Sequence, residues 1–172
     1  IARKCNLSVG NLYHYYHSKD DLYFALFIEW NAIRLAYIFE EVDKANGAAE
    51  KLFQYAEAFF RYSQQNTDEL RFSLRYQHFG MQEDKLSDEL KQEFVASRQP
   101  YSQKFRQIFE EGVASGEFAS DLAIGQVIQF FTMTLRLLLN EILVLGYFNE
   151  TFYYDYVRFS DQLFSAIRVY LF

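Results

Sequence analysis

The chain has 172 residues, 51% of them hydrophobic and 20% aromatic, with one Pro, seven Gly and a formal net charge of -6. Such a length buries a sizeable core, so few breakers among so many large side chains imply long helices, and the acidic total by itself argues against a polyanion partner. The single cysteine, Cys5, rules out an intrachain disulfide and fits a reducing cytoplasm, with Cys5 read as a small packing residue; no signal peptide is visible.

Residues 6–19 read as the second half of a DNA-binding helix-turn-helix. Asn6 tolerates the left-handed turn between two helices, Ser8 can cap a new helix by accepting a backbone N–H, and Leu12 and Tyr16 give that helix one buried stripe. The other side then presents Asn11, Tyr13, His14 and Tyr15 to a groove. N-terminal residues of such a helix approach base edges, while hydroxyls and a terminal Lys such as Lys19 take phosphates. Charge is split accordingly: residues 1–19 hold Arg3, Lys4 and Lys19 and no acid, a local +3, so the remainder carries -9 and the two parts sum to -6. A basic head on an acidic body is the pattern of a nucleic-acid reader, and three charges per head call for a dimer whose binding is salt-dependent. The plainer alternative is a pair of short amphipathic helices in an all-α domain.

The residues at Ile1-Ala2, Leu7-Ser8, Gly10, Leu12-Tyr13, Tyr16 and Lys19 resemble the signature of the TetR-type (TetR/AcrR) transcriptional regulators in identity and spacing. Asn6 stands where that family usually has Gly, and Tyr16 where Phe is commoner. The chain begins inside the first helix of the motif, so its headpiece reads as incomplete, lacking roughly the helix that precedes the motif.

Beyond Lys19 the periodicity is helical throughout, with no alternation long enough to argue for a sheet. Two domains are expected, a partial helix-turn-helix over residues 1–21 and a helical effector-binding and dimerisation domain over 22–172. Asp20 and Asp21 start a connecting helix to about residue 44, with Leu22, Leu26, Ile33 and Tyr37 on one face. Asn46-Gly47 breaks it. Leu52, Phe53, Ala56, Phe59 and Phe60 define the next helix, to about residue 66, and Thr67-Asp68 caps another that stops at Gly80. A further helix begins near Ser87 and ends at Ser115-Gly116, passing Pro100, where a kink or break is expected because Pro lacks an N–H and crowds the preceding turn. Two long helices close the chain, over about 121–146 and 150–171. The first is apolar nearly all round, but Gln129, Arg136, Asn140 and Glu141 interrupt it, and two mid-span charges would cost roughly 5 to 7 kcal/mol in a membrane, so no membrane is expected.

The resemblance implies an all-α homodimer whose last two helices pair across a two-fold axis, an operator-DNA partner, and a pocket in the body whose effector swings the connecting helix. Heads must match grooves about 34 to 36 Å apart, so a small shift releases DNA. The DNA-facing set is Ser8, Gly10, Asn11, Tyr13, His14, Tyr15 and Lys19. The dimer set is Phe131, Leu135, Leu138, Ile142, Tyr156, Phe159, Leu163 and Ile167. The effector set, taken from polar groups and Met on apolar helices together with Trp30, is Trp30, Arg75, His78, Met133, Arg136 and Asn140, for an apolar or aromatic small molecule. Arg136 has Glu141 as an alternative partner. No phosphate loop, His/Cys metal spacing or Ser-His-Asp order appears, so neither an enzyme nor a cofactor is expected. The function so reached is a DNA-binding repressor released by an effector; the alternative is a dimeric helical ligand-sensing module without DNA binding.

Overall fold

The computed structural model describes residues 6, 8–78 and 86–145; among the described residues there are six helices and no strand, so the chain is all-α. The first turn forms as its residues dictate. Asn6 takes φ 54°, and the Ser8 hydroxyl oxygen accepts the Asn11 N–H at 3.0 Å to cap α1, Val9–Tyr15. Ser18 repeats the device three residues after that helix ends, accepting the Asp21 N–H at 3.0 Å at the start of α2, Lys19–Val42, whose first turn carries Asp20 and Asp21 toward the positive end of the helix dipole.

Helix α2 is the spine. It buries Leu22, Phe24, Phe27, Ile28, Ile38, Phe39 and Val42, whereas Ile33, expected on its inner face, is half in solvent at 51%. The turn beside it shows the reason: Asn31 and Arg34 are the residues that face inward there. By length and composition alone α2 could cross a membrane, with a mean hydropathy of 1.3 over its most apolar stretch, yet its apolar faces pack within the bundle.

The remaining helices are α3, Ala48–Gln65, α4, Thr67–His78, α5, Asp88–Ser115, and α6, Ile124–Leu145. Helix α5 starts on Ser87, whose hydroxyl caps the Leu90 N–H at 3.4 Å, and stops at Gly116 in the left-handed region, φ 79°. It runs through Pro100 as one continuous helix, so of the kink or break expected there the break does not occur. Packing on both sides explains this: Leu90 and Phe94 join a cluster with Phe24, Phe27, Ile28 and Leu86, while Phe105, Ile108 and Phe109 lie in the main core.

The main core joins α2, α3, α5 and α6 through touching rings, Tyr55 and Phe105 at 4.6 Å and Phe105 and Phe131 at 5.7 Å between centroids. Two members of the expected dimer seam belong to this core. Phe131 and Leu135 are 3% and 2% exposed within the single chain, filling the hole between α3 and α5, and Leu138 packs against the same core. Helix α6 instead turns Phe130, Met133 and Leu137 outward, at 63%, 51% and 63% exposure. The side chain of Ile142, and all of Tyr156, Phe159, Leu163 and Ile167, lie outside the described residues.

Candidate DNA-reading head and effector cavity

Helix α1 has no buried residue; Leu12 and Tyr16 are half-buried, and Ser8, Gly10, Asn11, Tyr13, His14, Tyr15 and Lys19 are all exposed. His14 meets Tyr15 edge-on with centroids 5.5 Å apart, and the Lys19 ammonium lies 5.1 Å from the centre of the Tyr23 ring. Those contacts hold two long polar side chains without consuming their donors. Head and body share α2, and the expected division after residue 21 falls in its first turn.

A cavity of about 270 Å³ lies in the body, between the two apolar clusters. Three helices line it with stripes at helical spacing: Asn31, Arg34, Leu35 and Ile38 of α2; Arg98, Tyr101, Ser102 and Phe105 of α5; Ile128, Thr132, Leu135 and Arg136 of α6. Phe39, Tyr55 and Phe59 form the aromatic back, and Arg106 and Gly125 complete the lining. Among the described residues four arginines and no carboxylate face the space.

The arginines differ in depth. The Arg34 side chain is 13% exposed, donates to the Asn31 Oδ1 at 2.6 Å and sits 3.8 Å from the Glu69 carboxylate, itself 10% exposed. Glu69 accepts the Tyr62 hydroxyl at 2.7 Å. Burial depresses the Arg34 pKa, with Glu69 opposing and Arg136 adding repulsion; Arg98 is lowered by burial and then by Arg136 and Arg34. Burial raises both Glu69 and Tyr62. Arg98 is half-buried with its guanidinium 5.0 Å from the Phe94 ring centre, and Arg106 and Arg136 are exposed at the mouth. Among the described residues no carboxylate pairs with Arg98 or Arg136, and Glu141 is not a partner of Arg136.

Of the four residues expected to line an effector site whose side chains are described, Trp30, Met133, Arg136 and Asn140, the cavity takes only Arg136. Trp30 packs edge-on to Phe72 at 5.0 Å, because the α2 face it occupies meets α4. Met133 points to solvent on the outer face of α6, and Asn140 lies beyond the cavity along the same helix. The side chains of Arg75 and His78 lie outside the described residues. Sequence reasoning missed Arg34, Arg98, Tyr55 and Tyr101. The signal was present as charged residues at i, i+3 or i+4 from apolar partners in the middle of long helices. Among the described residues no three His, Cys, Asp or Glu side chains come together to hold a metal.

A family model described as tetracyclin repressor-like, C-terminal domain, matches residues 45–135, more than half of the chain, taking in all of α3, α4 and α5 and the first half of α6. The crystal structure of the TetR family transcriptional regulator PfmR from Thermus thermophilus has the same fold at a TM-score of 0.53 and 22% identity, covering 78% of this chain and 72% of that one. No curated protein matches the chain.

Proposed function

The chain belongs to the tetracycline-repressor-like family of transcriptional regulators, and from that premise we propose that it is a cytoplasmic, non-enzymatic repressor that binds operator DNA as a homodimer and is released by a small-molecule effector. One observation carries the reading: a single unbroken helix, α2, begins just after the exposed helix α1 and forms one wall of the cavity. Lys19 and Arg34 are 15 residues apart on it, a lever of about 22 Å at 1.5 Å per residue, so a tilt of about 10° at the cavity moves the head by about 4 Å. A displacement of that size suffices to mismatch two heads against successive major grooves.

On this reading Tyr13, Ser8 and Lys19 hold phosphates, Asn11, His14 and Tyr15 approach base edges, and Gly10 permits close backbone approach. The outward stripe of Phe130, Met133 and Leu137 on α6 is the face offered to a second copy. The effector stabilises the splayed arrangement over the DNA-competent one by a coupling of roughly 1 to 3 kcal/mol.

The test is a titration of the full-length encoded protein against its own upstream DNA and against random DNA at two salt concentrations. Selective, salt-sensitive binding is expected. Weak binding indifferent to sequence, from a folded dimer, leaves the ligand-sensing module as the description.

A further inference from the structure

We propose that the effector is an amphipathic organic acid: a carboxylate held among Arg34, Arg98 and Arg136, with an aryl or alkyl body against Phe39, Tyr101 and Phe105. The inference rests on the effector-cavity reading above and names the ligand class of that site.

Charge is the first argument. The whole chain is acidic at -6, yet among the described residues the cavity lining holds four guanidinia and no acid. Arginine keeps its charge in any protein setting, so Arg34, largely buried, and Arg98, half-buried, cannot escape that cost by losing a proton. Glu69, 3.8 Å from Arg34, offsets one of them. Arg34, Arg98 and Arg136 are near enough for each of the first two to be disfavoured by the charge of the third. Partly buried like charges without a counterion are costly, and a bound anion removes that cost.

Hydrogen bonding is the second. Arginine only donates, so the Arg34 contact at 2.6 Å fixes the Asn31 amide with its oxygen toward Arg34. The Asn31 Nδ2 is left without an acceptor among the described residues, although Asn31 is 7% exposed and lines the cavity. A ligand carboxylate brings an acceptor to the end of the cavity that has donors only, and guanidinia match its planar geometry.

Size and lining decide the rest. At about 270 Å³ the space is at the small end for ligand sites. Phe39 and Tyr101 stack at 5.5 Å and Phe39 meets Phe105 at 6.4 Å, an apolar wall that a bare inorganic anion would leave unused. Such a ligand also ties α2 to α5 and α6 by one group, because its three arginines stand on those three helices.

Isothermal titration of the full encoded protein with naphthalene-2-carboxylate and decanoate, each beside its neutral carboxamide, and with inorganic phosphate, tests this. At least one carboxylate should bind about tenfold or more tightly than its amide, the factor a charge-assisted hydrogen bond supplies. R98M and R136M, both at partly or fully exposed positions, should each abolish most of that ratio without lowering Tm. Equal affinity for acid and amide, a ratio unchanged in the variants, no binding by any probe, or phosphate binding as tightly as the acids would each overturn the proposal. DNA binding followed in the same samples separates the two readings: release by an amide keeps the regulator and rejects the acid, whereas arginine-dependent acid binding without release keeps the site and rejects effector control.

Discussion

A Cβ on Gly112 would sit 2.2 Å from the Phe118 ring and 2.9 Å from the Ala48 Cβ, so α5 and α3 approach as closely as they do only because that position has no side chain. Gly112→Ala forces a packed ring to move, and chemical denaturation should register a loss of about 1 to 3 kcal/mol. Glu117 in the same turn accepts the N–H groups of Ala48 at 3.2 Å and Ala49 at 3.0 Å, capping a helix that Gly47 begins without a side-chain cap. Those backbone bonds hold its carboxyl below the ordinary value of 4.5. A depressed folded pKa contributes stability above the unfolded pKa and loses it as pH falls through the folded one. Glu117→Ala should therefore cost about 1 kcal/mol at pH 7, and its Tm gap to the parent should narrow as pH falls below the ordinary carboxylate range. The local cap at Ser8 was legible because donor and acceptor are three residues apart. The Glu117 cap was not, since its partners are 68 and 69 residues away.

Helix α6 shows two faces that periodicity alone does not rank. Phe131, Leu135 and Leu139 repeat every four residues, as do Phe130 and Thr134, and Met133 and Leu137 continue the second set; both read as apolar stripes. The aromatic hole made by Tyr55 and Phe105 selects the first for the core. Phe131→Ala should lower unfolding free energy by about 3 to 5 kcal/mol, whereas Leu137→Glu should leave it nearly unchanged and shift sedimentation toward monomer. A Leu137→Glu protein that stays dimeric would remove this face from the interface. In α5, Pro100 forgoes one backbone bond inside a continuous helix. Pro100→Ala should raise stability by about 1 to 3 kcal/mol, read as a higher Tm.

At the scale of the whole molecule, a small basic head is joined to an acidic body by one shared helix. On the proposed reading the head's few cations make the phosphate contacts, so operator affinity should fall with salt, and Lys19→Ala should weaken binding to all sequences alike and flatten that slope. His14→Ala should instead reduce the preference for operator over random DNA, measured by competition. Equal losses on both DNAs would remove His14 from base reading.

The helical class, the helix boundaries, the turn at Asn6 and the family signature around Leu7-Ser8 to Lys19 were written in local residues, because caps, breakers and a 3.6-residue period act over a few positions. The choice of which stripe on α2 and α6 turns inward, the passage of α5 through Pro100, and the cavity with its arginines belong to tertiary structure. Asn31, Arg34 and Ile38 on α2 and Arg98, Tyr101 and Phe105 on α5 each form an ordinary mixed stripe along their own helix. They become one charged, aromatic space only where two long helices and α6 pack side by side, and the packing energy of a face depends on the face that meets it.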